Sequence, residues 1–143
     1  MSTAATQANP GVQPSKALHF SLWGVQILLA IPFAFAGTMK ATQPIAELAA
    51  KMGWPGVVPE ALVRFIGISE LLGALGLVLP AATRIKPGLT ALAGVGLMTI
   101  MVFAAIFHVS RGEIGMVLVP AVLGALSAFV AWGRWRKAPI APR

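Results

Sequence analysis

Four stretches of the chain are almost unbroken in apolar character, at about Leu18–Thr38, Ala61–Leu79, Gly88–His108 and Gly115–Gly133. Each holds about 20 residues, and at ~1.5 Å per residue a helix of that length crosses a hydrocarbon core of roughly 30 Å. Backbone polar groups inside a bilayer must satisfy one another, so the pattern predicts transmembrane helices. Pro80 is expected to close the second, and Pro87 to sit near the start of the third, where a missing N–H costs little. The expected fold is all-α: a polytopic four-transmembrane-helix bundle over residues 17–133. Residues 1–16 are polar and rich in Ala, Thr, Gln and Pro, and read as a disordered tail. Residues 134–143 read as a basic tail.

The loop over about residues 41–60 is the only long one. Within it Ile45, Leu48, Ala49 and Met52 fall at i, i+3, i+4 and i+7, Glu47 and Lys51 form an i, i+4 pair, and Pro44 and Gly53 bracket the segment. This predicts a short amphipathic helix lying on the membrane surface or over the bundle mouth. Interfacial anchoring is the simpler reading of it and a functional lid the alternative. Lys16, the apolar run and Ala34-Phe35-Ala36 before Gly37 imitate a signal peptide with a small-residue cleavage site. The run is long for that purpose, and Pro32 with Gly37 suits a kinked, packed helix, so the first helix is expected to be retained.

Composition changes the picture in one respect. Charged residues make up 10% of the chain against about 25% in soluble domains, hydrophobic residues 57%, and mean hydropathy is +0.83. A soluble fold is excluded, and the net charge of +7 reads as topology rather than as a nucleic-acid surface. With four spans, Lys16, Arg84, Lys86, Arg134, Arg136, Lys137 and Arg143 share one side, while Lys40, Lys51 and Arg111 share the other. The positive-inside rule then places both termini in the cytoplasm, and the expected location is the bacterial cytoplasmic membrane. Trp23, Trp132 and Trp135 would mark the inner interface and Trp54 the outer.

Glu70 is the costliest residue to place. A charge at a helix centre costs roughly 2.5–3.5 kcal/mol on insertion scales, so such residues face a bundle interior. Its helical neighbours Gly67, Gly73 and Ala74 are small, which directs it toward a helix contact rather than lipid. Gly94 and Gly124 are expected to serve packing in the same way, since Ser69–Gly73, Thr90–Gly94 and Gly124–Ala128 have small-xxx-small spacing. Lys40 follows the expected first helix, Arg64 opens the second and His108 ends the third, so all three gather in the same half as Glu70. Together with Glu70 they are the candidate ligand-binding or proton-handling residues. Arg64, six residues from Glu70, lies about 120° round the helix and reaches it only at full extension. For each there is a bland reading: a register-fixing buried pair for Glu70, snorkelling for Lys40 and Arg64, a capping imidazole for His108. Arg111 and Glu113 read as solvated loop residues.

"VLGALS" at Val122–Ser127 echoes "LLGALG" in the second span, a hint of a duplicated two-helix unit in which Ala121 would align with Glu70. Other chemistry is not expected. His19 and His108 stand about a membrane thickness apart and cannot clasp one haem or metal. The chain has no Cys and no Asp, so no disulfide, thiolate centre or protein-built metal site is predicted. No catalytic residue can be named, because no nucleophile motif or phosphate-cradling loop is present.

"AGTMK" at Ala36–Lys40, "RFIGISELLGALGLVLP" at Arg64–Pro80 and "FHVSRGE" at Phe107–Glu113 resemble the DoxX-like family of four-helix membrane proteins, with order and spacing intact from about Leu18 to Trp132. The resemblance implies a compact four-helix bundle in which Lys40, Arg64, Glu70 and His108 match the family's polar positions. The family takes its name from a subunit of an archaeal thiosulfate:quinone oxidoreductase. The leading expectation is therefore a non-catalytic membrane subunit or anchor, binding a quinone-like amphiphile or an oxidoreductase partner in the bilayer. A small proton-coupled carrier using Glu70, made competent by homo-oligomerisation, and a structural membrane protein without a dedicated ligand are the competing readings.

Overall fold

The computed structural model describes residues 14–143, so the tail expected over residues 1–16 lies outside the described residues as far as residue 13. The architecture is all-α, with four long apolar helices able to span a membrane and one short helix. In chain order they are α1 (Lys16–Thr42), α2 (Ile45–Met52), α3 (Glu60–Thr83), α4 (Gly88–Ser110) and α5 (Leu118–Trp132). A π-helical turn over Gly133–Lys137 continues α5, and 3₁₀ turns at Trp54–Gly56 and Ile114–Met116 occupy the connections. We refer to the end carrying α2 and the α4–α5 connection as the loop end, and to the other as the terminal end.

Each boundary has a local cause. Ser15 caps α1 by accepting the Leu18 N–H at 3.4 Å. The helix runs past Thr38 to Thr42, so Lys40 lies inside its last turn rather than beyond it. It stops because Gln43 precedes Pro44 and takes the extended backbone that a following proline demands. Gly53, at φ 76°, turns the chain out of α2 in a conformation costly for other residues. Pro80 does not close α3, which continues to Thr83. Pro80 removes the N–H that would pair with the Gly76 carbonyl, and in a bundle neighbouring groups can compensate such a defect. Here the Gln26 side chain, fully buried on α1, donates to the adjacent Leu77 carbonyl at 2.6 Å.

The helices associate as two tight pairs. α1 packs most extensively on α3 and α4 on α5, and α3 joins the pairs through α4. Leu29, Phe33, Ala74, Leu77, Leu97, Met101 and Val130 form the buried core, while Phe20, Ile31, Leu72 and Leu118 face outward on the surface that the bilayer would cover. The α1–α3 contact is close enough to exclude any side chain. A Cβ built on Gly67 would lie 2.7 Å from the Ala41 nitrogen, and one on Gly37 would lie 2.7 Å from the Gly67 carbonyl oxygen. Gly73 lies against Leu97, Gly94 against Ser127 and Ala131, and Gly124 against Met101, while Ala74 belongs to the core.

At the terminal end Arg134 is not part of a free tail. It is 4% exposed, donating to the Gln26 side-chain oxygen at 2.6 Å and to the Ala138 carbonyl at 3.2 Å. Its guanidinium also lies 3.1 Å from His19 Nδ1 and over the Trp23 ring.

Gly67→Ala is expected to destabilise the bundle by about 1–3 kcal/mol, because the obstructing atoms are backbone and the Lys40 Cβ, none of which can rotate away. Gly24→Ala, whose added Cβ meets nothing, should be neutral or stabilising by up to about 1 kcal/mol from helix propensity. Chemical unfolding in detergent, followed by tryptophan fluorescence, separates the two.

Candidate functional site

A helical Cα–Cβ bond tilts toward the N-terminus of its helix. α1 and α3 run in opposite directions, so at the Gly37–Gly67 contact the Lys40 side chain leans away from the loop end and the Glu70 side chain leans toward it. The two meet in a buried ion pair, with Lys40 7% and Glu70 2% exposed. The Lys40 ammonium also stands 5.9 Å from the centre of the Trp54 ring, an attractive placement for a cation.

Arg64 does not join the pair. Its guanidinium donates to the carbonyls of Lys40 at 2.8 Å and Gln43 at 2.7 Å, and bonds Glu60 at 3.0 and 3.2 Å. It therefore caps the C-terminus of α1, where carbonyls lack partners and a cation is favoured. Arg64 positions the backbone of Lys40 rather than facing a ligand.

A cavity of about 890 Å³ opens beside the ion pair, between the α1–α3 and α4–α5 pairs in the loop half of the bundle. The pairs meet through Gly73 against Leu97 and Gly76 against Ala93 toward the terminal half, and diverge above them. Phe33, Phe35, Phe65, Phe103 and Phe107 supply aromatic walls, and Met52 and Trp54, at the end of α2 and just beyond it, roof the space. Lys40, Glu70 and His108 all line it, whereas Arg64 does not. Leu48 anchors α2 by complete burial, so this segment covers the bundle rather than lying apart from it.

His108 is held by a residue that reads from sequence as solvated. Its Nδ1 lies 2.7 Å from one Glu113 oxygen, and Arg111 donates to the other at 2.9 Å. An ionised carboxylate only accepts, so Nδ1 carries the proton in neutral His108 and Nε2 remains an acceptor. The hydrogen bonds from His108 and then Arg111 hold the Glu113 carboxyl below the ordinary carboxylate range. The cavity thus carries a donor, the Lys40 ammonium with N–H groups beyond the one given to Glu70, and an acceptor in His108. The spacing of His108 and Glu113 across the α4 terminus is the signal that could have found this pair.

These features define an integral membrane protein of four spanning helices enclosing an apolar cavity with a few converging polar groups. The chain belongs to the DoxX-like family, whose sequence profile matches residues 24–130. No curated protein and no solved structure matches it.

Removing one partner of a buried ion pair leaves an uncompensated charge. Glu70→Gln is expected to cost about 3–5 kcal/mol, while Lys40→Met combined with Glu70→Leu should be close to neutral. Unfolding midpoints of the three proteins in one detergent test this. Glu113 supplies a pH signature. Its folded pKa lies below its unfolded one, so its stabilisation is full above the ordinary carboxylate range and is lost as pH falls through the lowered value. The melting-temperature difference between wild type and Glu113→Gln should therefore shrink as pH falls below about 4.

Proposed function

We propose that the protein is a membrane subunit or anchor that holds a quinone-like amphiphile in the loop-half cavity and presents it to a redox partner. The observation that carries this reading is the aromatic cavity of about 890 Å³, with the Lys40–Glu70 pair and His108 on its wall. Small-molecule sites are typically ~300–1,000 Å³, largely apolar, with few orienting polar groups.

Two features favour a neutral, tailed ligand. The ion pair cancels its own charge, and Glu113, against His108, is matched by Arg111, so the site offers hydrogen bonds without a net field for an anion. Phe35, Phe65 and Phe103 line the cavity yet are 69%, 67% and 68% exposed, so its wall continues onto the membrane-facing surface. A ligand entering from the bilayer would keep its tail in lipid while Lys40 donates to a ring carbonyl. The carrier alternative fares less well. Buried Leu29, Leu77, Leu97 and Val130 separate Glu70 from the polar groups of the terminal end by an apolar layer.

Short-chain ubiquinone titrated into purified protein should quench Trp54 fluorescence saturably. The combined Lys40→Met, Glu70→Leu variant should fold and bind about 10- to 100-fold more weakly, the value of a hydrogen bond to a charged donor. Absence of saturable quenching in wild type would sink the proposal.

A further inference from the structure

The charges of this chain are divided between its ends. All four carboxylates, Glu47, Glu60, Glu70 and Glu113, lie in the loop half, where they match Lys40, Lys51, Arg64 and Arg111. The other seven basic residues are at the terminal end, so the entire net charge of +7 resides there with no acidic side chain to offset it. Buried Arg134 is part of that excess: its hydrogen bonds go to neutral groups, and one guanidinium nitrogen has no partner among the described residues.

The fold concentrates this charge further. The turn after α3 holds Arg84 at φ 59° and Lys86 at φ 46°, two left-handed non-glycine residues within three positions. Such backbone costs of order 1 kcal/mol or more per residue and persists where the surroundings impose it. At Arg84 the C-terminal segment supplies such surroundings. Arg84 donates through Nε to the Ala141 carbonyl at 2.9 Å, and the Arg143 N–H donates to the Arg84 carbonyl at 3.3 Å. Ala138, buried at the other end of the same segment, accepts from Arg134. The segment after the π turn is thus docked across the terminal end, and it brings Arg143 beside Arg84 and Lys86, all three exposed. No acidic side chain lies at this end to offset the three, and exposed like charges held together by such contacts attract an anion from outside the chain.

We propose that Arg84, Lys86 and Arg143 form a binding site for the phosphate of an acidic phospholipid headgroup. The source is lipid because the site lies at the end of apolar spans, the same end that carries exposed Trp132 and Trp135, residues suited to the membrane interface. Basic groups at such a surface draw anionic headgroups, and arginine pairs bidentately with phosphate oxygens.

The test is native mass spectrometry of the full chain, delipidated in detergent and offered equal phosphatidylglycerol and phosphatidylcholine. Wild type should retain phosphatidylglycerol in preference. Arg84→Gln with Lys86→Gln and Arg143→Gln, all at exposed positions, should reduce that preference about tenfold or more. Arg136→Gln with Lys137→Gln should reduce it far less. Equal retention of both lipids by wild type overturns the proposal, and equal losses in the two variants would reveal diffuse attraction instead of a site. Inorganic phosphate binding as tightly as the lipid would assign a free anion. An acidic protein that co-purifies with wild type and is lost from the triple variant, without any lipid preference, would assign a protein partner.

Discussion

The close approach of α1 and α3 at Gly37 and Gly67 governs how the other parts of this bundle are arranged. With carbonyl and amide atoms where side chains would otherwise stand, the two backbones come near enough for Lys40 and Glu70 to meet. The antiparallel run of the helices makes their side chains lean toward one another. The same contact makes α1 and α3 one rigid unit in the loop half. α4 and α5 form another, and since α3 and α4 touch closely only lower down, through Gly73 with Leu97 and Gly76 with Ala93, the units diverge above. The cavity is a consequence of where the small residues lie.

A buried ion pair is weak evidence for stability, because the desolvation of two charges can consume the attraction between them. Leucine and methionine could fill the Lys40–Glu70 volume without that cost, and the small residues around it would still let the helices pack. What apolar residues cannot supply is an oriented hydrogen-bond donor on the wall of an otherwise apolar cavity. Arg64 fits this view. It spends its charge on capping α1, holding the Lys40 backbone in place while leaving the cavity free of an unmatched cation. The arrangement is neutral where a ligand would sit and firmly positioned behind it.

The spans and the short amphipathic helix are legible in the sequence because apolar length and periodicity are local properties. So is the inward aim of Glu70, since Gly67, Gly73 and Ala74 share its face. The helix ends are not, because tertiary partners decide them. α3 passes through Pro80 with a buried glutamine from α1 beside the weakened turn, and α1 reaches Thr42 because Arg64, from another helix, satisfies its last carbonyls. The site is legible in part. Lys40, Glu70 and His108 converge as their shared depth suggests, but helical angle separates Arg64 from Glu70, and its real partners are backbone atoms that no residue pattern announces. Glu113 and Arg134 defeat the sequence pattern for one reason: a charged residue beyond the apolar run looks solvated until the fold bends it back onto His108 or Gln26.

The two ends of the molecule therefore obey different physics. At the loop end the four carboxylates equal the four basic residues in number, and Lys40–Glu70, Arg64–Glu60 and Arg111–Glu113 are paired, so the polar groups around the cavity can serve a neutral molecule. At the terminal end the excess positive charge is gathered and partly buried, with no acidic side chain to offset it. Between them lies an apolar layer of Leu29, Leu77, Leu97 and Val130, in which the buried Ser127 hydroxyl is taken up by the Leu123 carbonyl of its own helix. Under the proposed lipid binding, headgroup attraction at the terminal end would help hold the apolar spans at the level of the hydrocarbon core. Phe35, Phe65 and Phe103 carry the cavity wall onto the exposed apolar surface that the bilayer would cover, the route by which the proposed amphiphile would enter by lateral diffusion.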